Sequence, residues 1–98
     1  MLIKKHSSYR QVIVICDKEL IGKKFEQGKL SLEITENFFK GEEKSEQEIL
    51  RMIEIAAAED ATFNIVGEKS VALSLKAGII KQEGIMRIQS VPVALILL

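Results

Sequence analysis

The tetrapeptide Val12-Ile13-Val14-Ile15 constrains the fold of this chain more than any other stretch. All four residues are apolar and β-branched, a composition that packs well on a pleated surface and poorly in a helix. A strand with one solvated face alternates apolar and polar residues, and this one does not. Residues 11–16 are therefore expected to lie centrally in a sheet and to be covered on both faces. Leu2 to His6, short and carrying Lys4 and Lys5, reads as an edge strand. It would pair with residues 11–16 as a hairpin across the loop Ser7-Ser8-Tyr9-Arg10, with His6 opposite Gln11 and Cys16 opposite Met1.

Asp17 opens a polar turn. Residues 18–25 read as a short helical turn or an irregular segment, anchored by Leu20, Ile21 and Phe25 and interrupted by Gly22; Gly28 follows. Residues 29–34 alternate, with Leu30, Leu32 and Ile34 on one side and Lys29, Ser31 and Glu33 on the other, which predicts a strand with one solvated face. Residues 35–40 form another short turn, in which Phe38 and Phe39 pack and which Gly41 ends. Ser45 and Glu48 make a capping box, and Ile49, Met52, Ile53 and Ala56 follow at helical spacing, so a helix runs from Ser45 to about Glu59.

Residues 62–66 are either a brief strand or the approach to a helix capped by Asn64. A helix then covers 68–77, with Val71, Ala72 and Leu75 inward and Gly78 at the left-handed position past its end. Beyond Gly78 the apolar spacing turns from helical to extended. Residues 85–88 and 93–98 are the last strands, joined through Gln89-Ser90-Val91-Pro92. Pro92 cannot donate to a ladder and belongs at a bulge, an edge or the start of the final strand. Val93 to Leu98 are apolar throughout, as in a central strand or an exposed edge that pairs with a second copy. The expected fold is α+β: a small single domain over 1–98, with a mostly antiparallel or mixed sheet of about five strands packed against two main helices.

Composition narrows the function classes. With 98 residues, 47% of them hydrophobic, the chain buries one core without help from disulfides or metal. Its single cysteine, Cys16, makes no internal disulfide. Met1-Leu2-Ile3-Lys4-Lys5-His6 lacks the apolar core of a signal peptide, and the longest apolar run, Val91 to Leu98, is too short to span a bilayer, so a cytoplasmic location and no membrane partner are expected. The formal net charge is zero but uneven: residues 1–30 hold seven basic and three acidic side chains, and residues 31–60 three and nine. Lys4, Lys5, Arg10, Lys23, Lys24 and Lys29 are the candidates for a basic face that meets phosphates or an acidic protein patch.

No catalytic constellation emerges from the spacing. In the expected hairpin register His6 and Cys16 stand about 16 Å apart along the ladder, too far for a nucleophile–base pair. Asp17 beside Cys16 raises a thiol pKa, which opposes activation. One His and one Cys do not build a zinc site, and neither a metal nor a cofactor is expected. Gly67-Glu68-Lys69-Ser70 places a glycine before a helix N-terminus, where anions bind, although Glu68 would repel a phosphate. Arg87 is a recognition residue if it faces a groove near Asn64 and Glu68.

D-K-E-L-I-G-K at 17–23, N-I-V-G-E-K-S-V at 64–71, A-G-I-I at 77–80 and M-R-I-Q-S-V-P at 86–92 occur in an order that resembles the archaeal family known as domain of unknown function 424. The matching positions are Asp17, Leu20 and Gly22, then Asn64, Val66, Gly67 and Glu68, then Pro92. Members often carry a histidine after that proline, where this chain ends V-A-L-I-L-L. The resemblance implies an archaeal cytoplasmic protein without an established activity, associated with translation. The expected function is a non-catalytic accessory binding module that contacts ribosomal RNA or a translation protein through the basic face and through Asn64, Gly67, Glu68, Arg87, Asp17 and Gly22. The alternatives are a small enzyme with a pocket at Asn64, Glu68 and Arg87, or a homo-oligomer joined through Val93 to Leu98.

Overall fold

In the computed structural model, which describes residues 1–7 and 9–96, the β-branched run is the strand β2 (Val12–Cys16). Ile13, Val14, Ile15 and Cys16 are all buried, so β2 is covered on both faces as its lack of alternation requires. It pairs antiparallel with β1 (Leu2–His6) and parallel with β6 (Thr62–Val66). The hairpin register is one residue off the expected one: His6 opposes Val12 and Cys16 opposes Leu2. The Gln11 carbonyl accepts from Thr62 N–H at 2.9 Å, which extends the parallel pairing with β6 one residue before Val12.

The other strands are β3 (Lys24–Gln27), β4 (Leu30–Glu33), β5 (Glu42–Glu43), β7 (Ile85–Ile88) and β8 (Val91–Ile96). Six form one mixed sheet in the order β5-β1-β2-β6-β8-β7, and β3–β4 is a separate antiparallel hairpin. The class is α+β, with more strands than the spacing revealed. β3 and β5 were illegible because Lys24-Phe25-Glu26-Gln27 has one apolar residue and Glu42-Glu43 has none; their partners β4 and β1 make them strands. β5 also means that β1 is covered at Leu2 and Ile3 rather than being the outermost strand. Gly41 permits this: a Cβ there would fall 2.7 Å from Lys4 Cβ and collide with the backbone of Ile3.

Helices α2 (Glu46–Ala58) and α3 (Glu68–Ala77) pack on one face of the sheet. Ser45 and Glu48 form the expected capping box, and Ile49, Ile53 and Ala56 of α2 are buried. Met52, placed in the same stripe by spacing, is 39% exposed on its flank. In α3 the inward side chains are Ser70, Val71, Leu73 and Ser74, while Ala72 is exposed and Leu75 only half-buried. The face is rotated because both serines find partners inside. Ser74 Oγ donates to the Ser70 carbonyl at 2.9 Å, and Ser70 is held by Asp17. Gly78 ends α3 in the left-handed region, φ 78°.

The opposite face carries a smaller cluster: Val14, Cys16 and Val66 beneath Ile34, Phe39 and the β3–β4 hairpin. Phe39 belongs to the short helix α1 (Glu36–Phe39), capped by Thr35. β8 lies between β6 and β7, so the open edge that a homodimer through Val93 and Ala94 would need is taken on both sides. Leu97 and Leu98, part of that expected interface, lie outside the described residues. No helix among the described residues is long and apolar enough to cross a membrane.

Candidate functional site

Because β2 and β6 are parallel, the segments that follow them leave the sheet side by side. Asp17 follows β2 and Gly67 follows β6, at the carboxyl ends of strands, where open sheets with parallel strands bind ligands. Here the position is occupied from within. Gly67 is the N-cap residue of α3 and has no side chain to satisfy the helix's free N–H groups. Asp17 does so from across the sheet: Oδ2 accepts from Lys69 N–H at 3.0 Å, and Oδ1 from Ser70 N–H at 2.8 Å and Ser70 Oγ at 2.7 Å. The carboxylate is 3% exposed and lies at the positive end of the helix dipole. The anion site that Gly67-Glu68-Lys69-Ser70 resembled is filled by the protein's own aspartate.

Gly67 is fixed twice over. Its φ of 111° and ψ of 157° fall in a region open essentially to glycine alone. A Cβ there would also lie 2.6 Å from Asp17 Oδ2. Its N–H donates to the Pro92 carbonyl at 3.0 Å and its carbonyl accepts from Val71 N–H at 2.9 Å, the first bond of α3. This is why proline is tolerated in the interior strand β8. The N–H that Pro92 lacks would point towards Gly67, whose carbonyl is already committed to the helix.

The third connection at this end is the tight turn between β7 and β8. Gln89 and Ser90 both have positive φ, 50° and 71°, a conformation that two-residue hairpin turns normally fill with Asn and Gly. Two reciprocal bonds tie the turn to the β3–β4 hairpin: Glu26 N–H donates to Gln89 Oε1 and Gln89 N–H donates to Gln27 Oε1, each at 2.8 Å. Arg87 bridges the turn to the helix. Its guanidinium donates to the Ser90 carbonyl at 3.1 Å and to Glu68 Oε1 at 2.8 Å. Between them lies a crevice of about 160 Å³ lined by Asp17, Glu19, Leu20, Gly67, Ser90 and Pro92 among others.

Of the residues singled out in the sequence, the fold therefore brings Asp17, Gly67, Glu68 and Arg87 together. Gly22, with φ 86°, anchors the adjoining turn through its N–H to the Ile34 carbonyl at 2.8 Å. Asn64 stands apart: it is a mid-strand residue of β6, opposite Val14 and Leu95, not part of a polar turn. Neither Asn64 nor Arg87 lines the crevice, so the three side chains of the small-enzyme reading do not share it. Ser70, Gln27, Gln89 and Ser90 were not among the residues singled out as site candidates. Only Ser70 carried a signal, as the last residue of the Gly-Glu-Lys-Ser block.

The six cations do not form one face. Lys4 and Lys5 alternate across β1, opposite Val14 and Ile13 respectively, and so point to opposite sides of the sheet. Lys4 Nζ donates to the Asn37 carbonyl, and Lys24 pairs with Glu26 of its own strand. Arg10 and Lys23 are exposed, and Lys29 lies at the tip of the separate hairpin.

The possible nucleophile is inert. Cys16 is fully buried, its Sγ donates to the Asp17 carbonyl at 3.3 Å, and burial, reinforced by the charges of Asp17 and Glu19, pushes its pKa up to about 12. His6 lies four positions along the ladder from Cys16, about 13 Å at the usual strand rise. Its Nε2 donates to the Phe38 carbonyl at 2.9 Å while the ring stacks on Phe38 at 4.6 Å. Among the described residues no three His, Cys, Asp or Glu side chains are grouped to hold a metal ion.

No curated protein matches the chain. Among solved structures, the crystal structure of an uncharacterized conserved protein from Methanopyrus kandleri shares the fold, with a TM-score of 0.87 at 23% identity over 97% of this chain and 88% of that one. The family model described as protein of unknown function (DUF424) matches residues 5–98. That span contains the Asp17 turn, the Gly67 block and Pro92, the residues that interlock at one end of the sheet, and it makes this chain a member of the DUF424 family.

Proposed function

We propose that this protein is a non-catalytic binding module that docks on a component of the translation apparatus, acting in the cytoplasm. The observation that supports a binding role is the cross-tying of three connections at one end of the sheet. The Asp17 turn is hydrogen-bonded to the start of α3, which is bonded in turn to Arg87 through Glu68 and to Pro92 through Gly67. Glu68, Lys69 and Arg87 are thereby presented, exposed, on a supported frame. Precise placement of surface groups on fixed elements is what recognition needs. The groups best suited to chemistry are engaged elsewhere, Asp17 in capping and Cys16 in the core. Translation is the setting that the family resemblance implies.

Co-sedimentation with ribosomal subunits at low and high salt tests the proposal. The expected result is co-sedimentation at low salt that weakens at high salt, because charged contacts are screened, and that Arg87→Ala reduces. Protein that stays in the soluble fraction at both salts removes the proposal.

A further inference from the structure

We infer that the β3–β4 hairpin is a latched strap that lifts from the sheet as a unit and uncovers an apolar strip on β7 and β8. The inference does not rest on the binding role proposed above. The hairpin takes no part in the ladder of the six-stranded sheet. Each of its strands has one part-buried side chain, Phe25 and Leu32, and no buried one. A two-stranded hairpin by itself is only marginally stable in water. Its base is fixed: Gly22 N–H donates to the Ile34 carbonyl at 2.8 Å, Ile34 N–H donates to the Lys23 carbonyl at 2.9 Å, and Ile34 is fully buried. Its far end is held by exposed groups, the reciprocal bonds of Glu26 N–H to Gln89 Oε1 and Gln89 N–H to Gln27 Oε1. Segments with few buried contacts and exposed hydrogen bonds open at the lowest free energy. The strap therefore swings from Ile34 and parts at Gln27 and Gln89.

Both β3 and β4 lie against β7. Ile85 of β7 packs into the core beneath the helices, so alternation turns Met86 and Ile88 towards the hairpin's side. Across the ladder Ile88 opposes Val91 and Met86 opposes Val93, and both valines pack in the cluster on that side. With the strap down, Ile88 is 6% exposed. Met86 and Leu95, farther along the same two strands and on the same face, are 50% and 55% exposed. Lifting the strap joins Met86, Ile88, Val91, Val93 and Leu95 into one apolar strip at the edge of the sheet. The Gln27–Gln89 latch thus sets how much apolar surface this edge presents.

Amide exchange and thiol labelling of the full chain test this. Gln27 is exposed, so Gln27→Ala removes half of the latch and leaves the core intact. The Glu26 amide should then lose about threefold or more of its protection, although its own acceptor, Gln89 Oε1, is untouched. Protection at Ile15 and Ile65, in the buried centre of the sheet, should stay as it was. Ile88→Cys places a thiol under the strap, with the fully buried Cys16 as internal reference for unfolding. The introduced thiol should label about tenfold or more faster than Cys16, and Gln27→Ala should speed it by the same factor as the Glu26 exchange. The amide measurement keeps the native Ile88, so it stands even if Ile88→Cys weakens the fold. Any of three results overturns the proposal: a Glu26 amide as protected as Ile65, Glu26 protection indifferent to Gln27→Ala, or an introduced thiol that labels no faster than Cys16 while Cys16 keeps its native rate.

Discussion

Asp17 and Gly67 occupy one space: the carboxylate that caps α3 stands where a side chain on the helix's own N-cap residue would be. A helix usually carries its cap on the residue before its first turn. Here that residue is a glycine, and the capping oxygen arrives from a residue 52 and 53 positions earlier than the two N–H groups it receives.

Removing the carboxylate orphans Ser70 N–H and Ser70 Oγ in a buried place and Lys69 N–H in a part-buried one. Asp17→Ala is expected to cost about 2–4 kcal/mol, and Asp17→Asn, which keeps one acceptor, about 1–2 kcal/mol. Urea unfolding of the three proteins checks the order. A loss below about 0.5 kcal/mol for Asp17→Ala would show that the cap contributes little.

Gly67→Ala meets both a forbidden backbone region and the carboxylate, and a loss of about 3 kcal/mol or more is expected. Asp17→Ala removes the carboxylate from that collision but keeps its own Cβ 2.7 Å away, so the double variant Asp17→Ala/Gly67→Ala should cost less than the sum of the single changes by about 0.5–1 kcal/mol. Strict additivity in the same unfolding experiment would mean that the carboxylate is not part of what demands glycine there.

Ser90 holds a left-handed conformation, φ 71°, that favours glycine, and what it gives the turn is its backbone carbonyl, which accepts from Arg87 and which glycine would keep. Ser90→Gly is expected to stabilise the protein by up to about 1 kcal/mol, raising Tm by about 4–8 °C. Gln89→Gly should not help, since it removes the acceptor of Glu26 N–H. Thermal melts of both variants decide the matter. A lower Tm for Ser90→Gly would contradict the strain argument.

The Cys16 thiol should resist modification in the folded protein. With its pKa raised from 9.0 to about 12 by burial first and by Asp17 and Glu19 next, it remains protonated where an exposed thiol ionises. The sign follows: the thiolate is disfavoured in the folded state. The stability associated with a neutral thiol is complete below pH 9.0 and falls as pH rises towards about 12. A disulfide reagent at pH 8 should therefore react at the rate of unfolding, and fast stoichiometric labelling of the native protein would disprove it.

Local elements were legible where local chemistry decides them. Ser45 and Glu48 satisfy each other within one turn, and Gly78 ends α3 by a conformation that only glycine takes cheaply. β3 and β5 were not legible, because a strand with one apolar residue or none is held by its partner rather than by its own composition. The hairpin register differs by one residue from the one a four-residue loop gives, since His6 opposes Val12 and the turn is not of the tight type that fixes register by its length.

By itself the sequence determined that a β-branched strand lies at the centre, that two capped helices cover a sheet, and that Asp17, Gly67 and Pro92 matter. Those features rest on residue size, backbone freedom and the missing proline N–H, which each residue carries wherever it is placed. The tertiary structure alone decided why the three matter together. Once β2 and β6 run parallel, Asp17 reaches the free N–H groups of α3, and Gly67 must lack a side chain to admit it. The Gly67 carbonyl then turns into the helix and leaves room for a proline beside it in an interior strand. Hydrogen bonds between groups so distant in sequence depend on strand order, and strand order is settled only when the whole core packs.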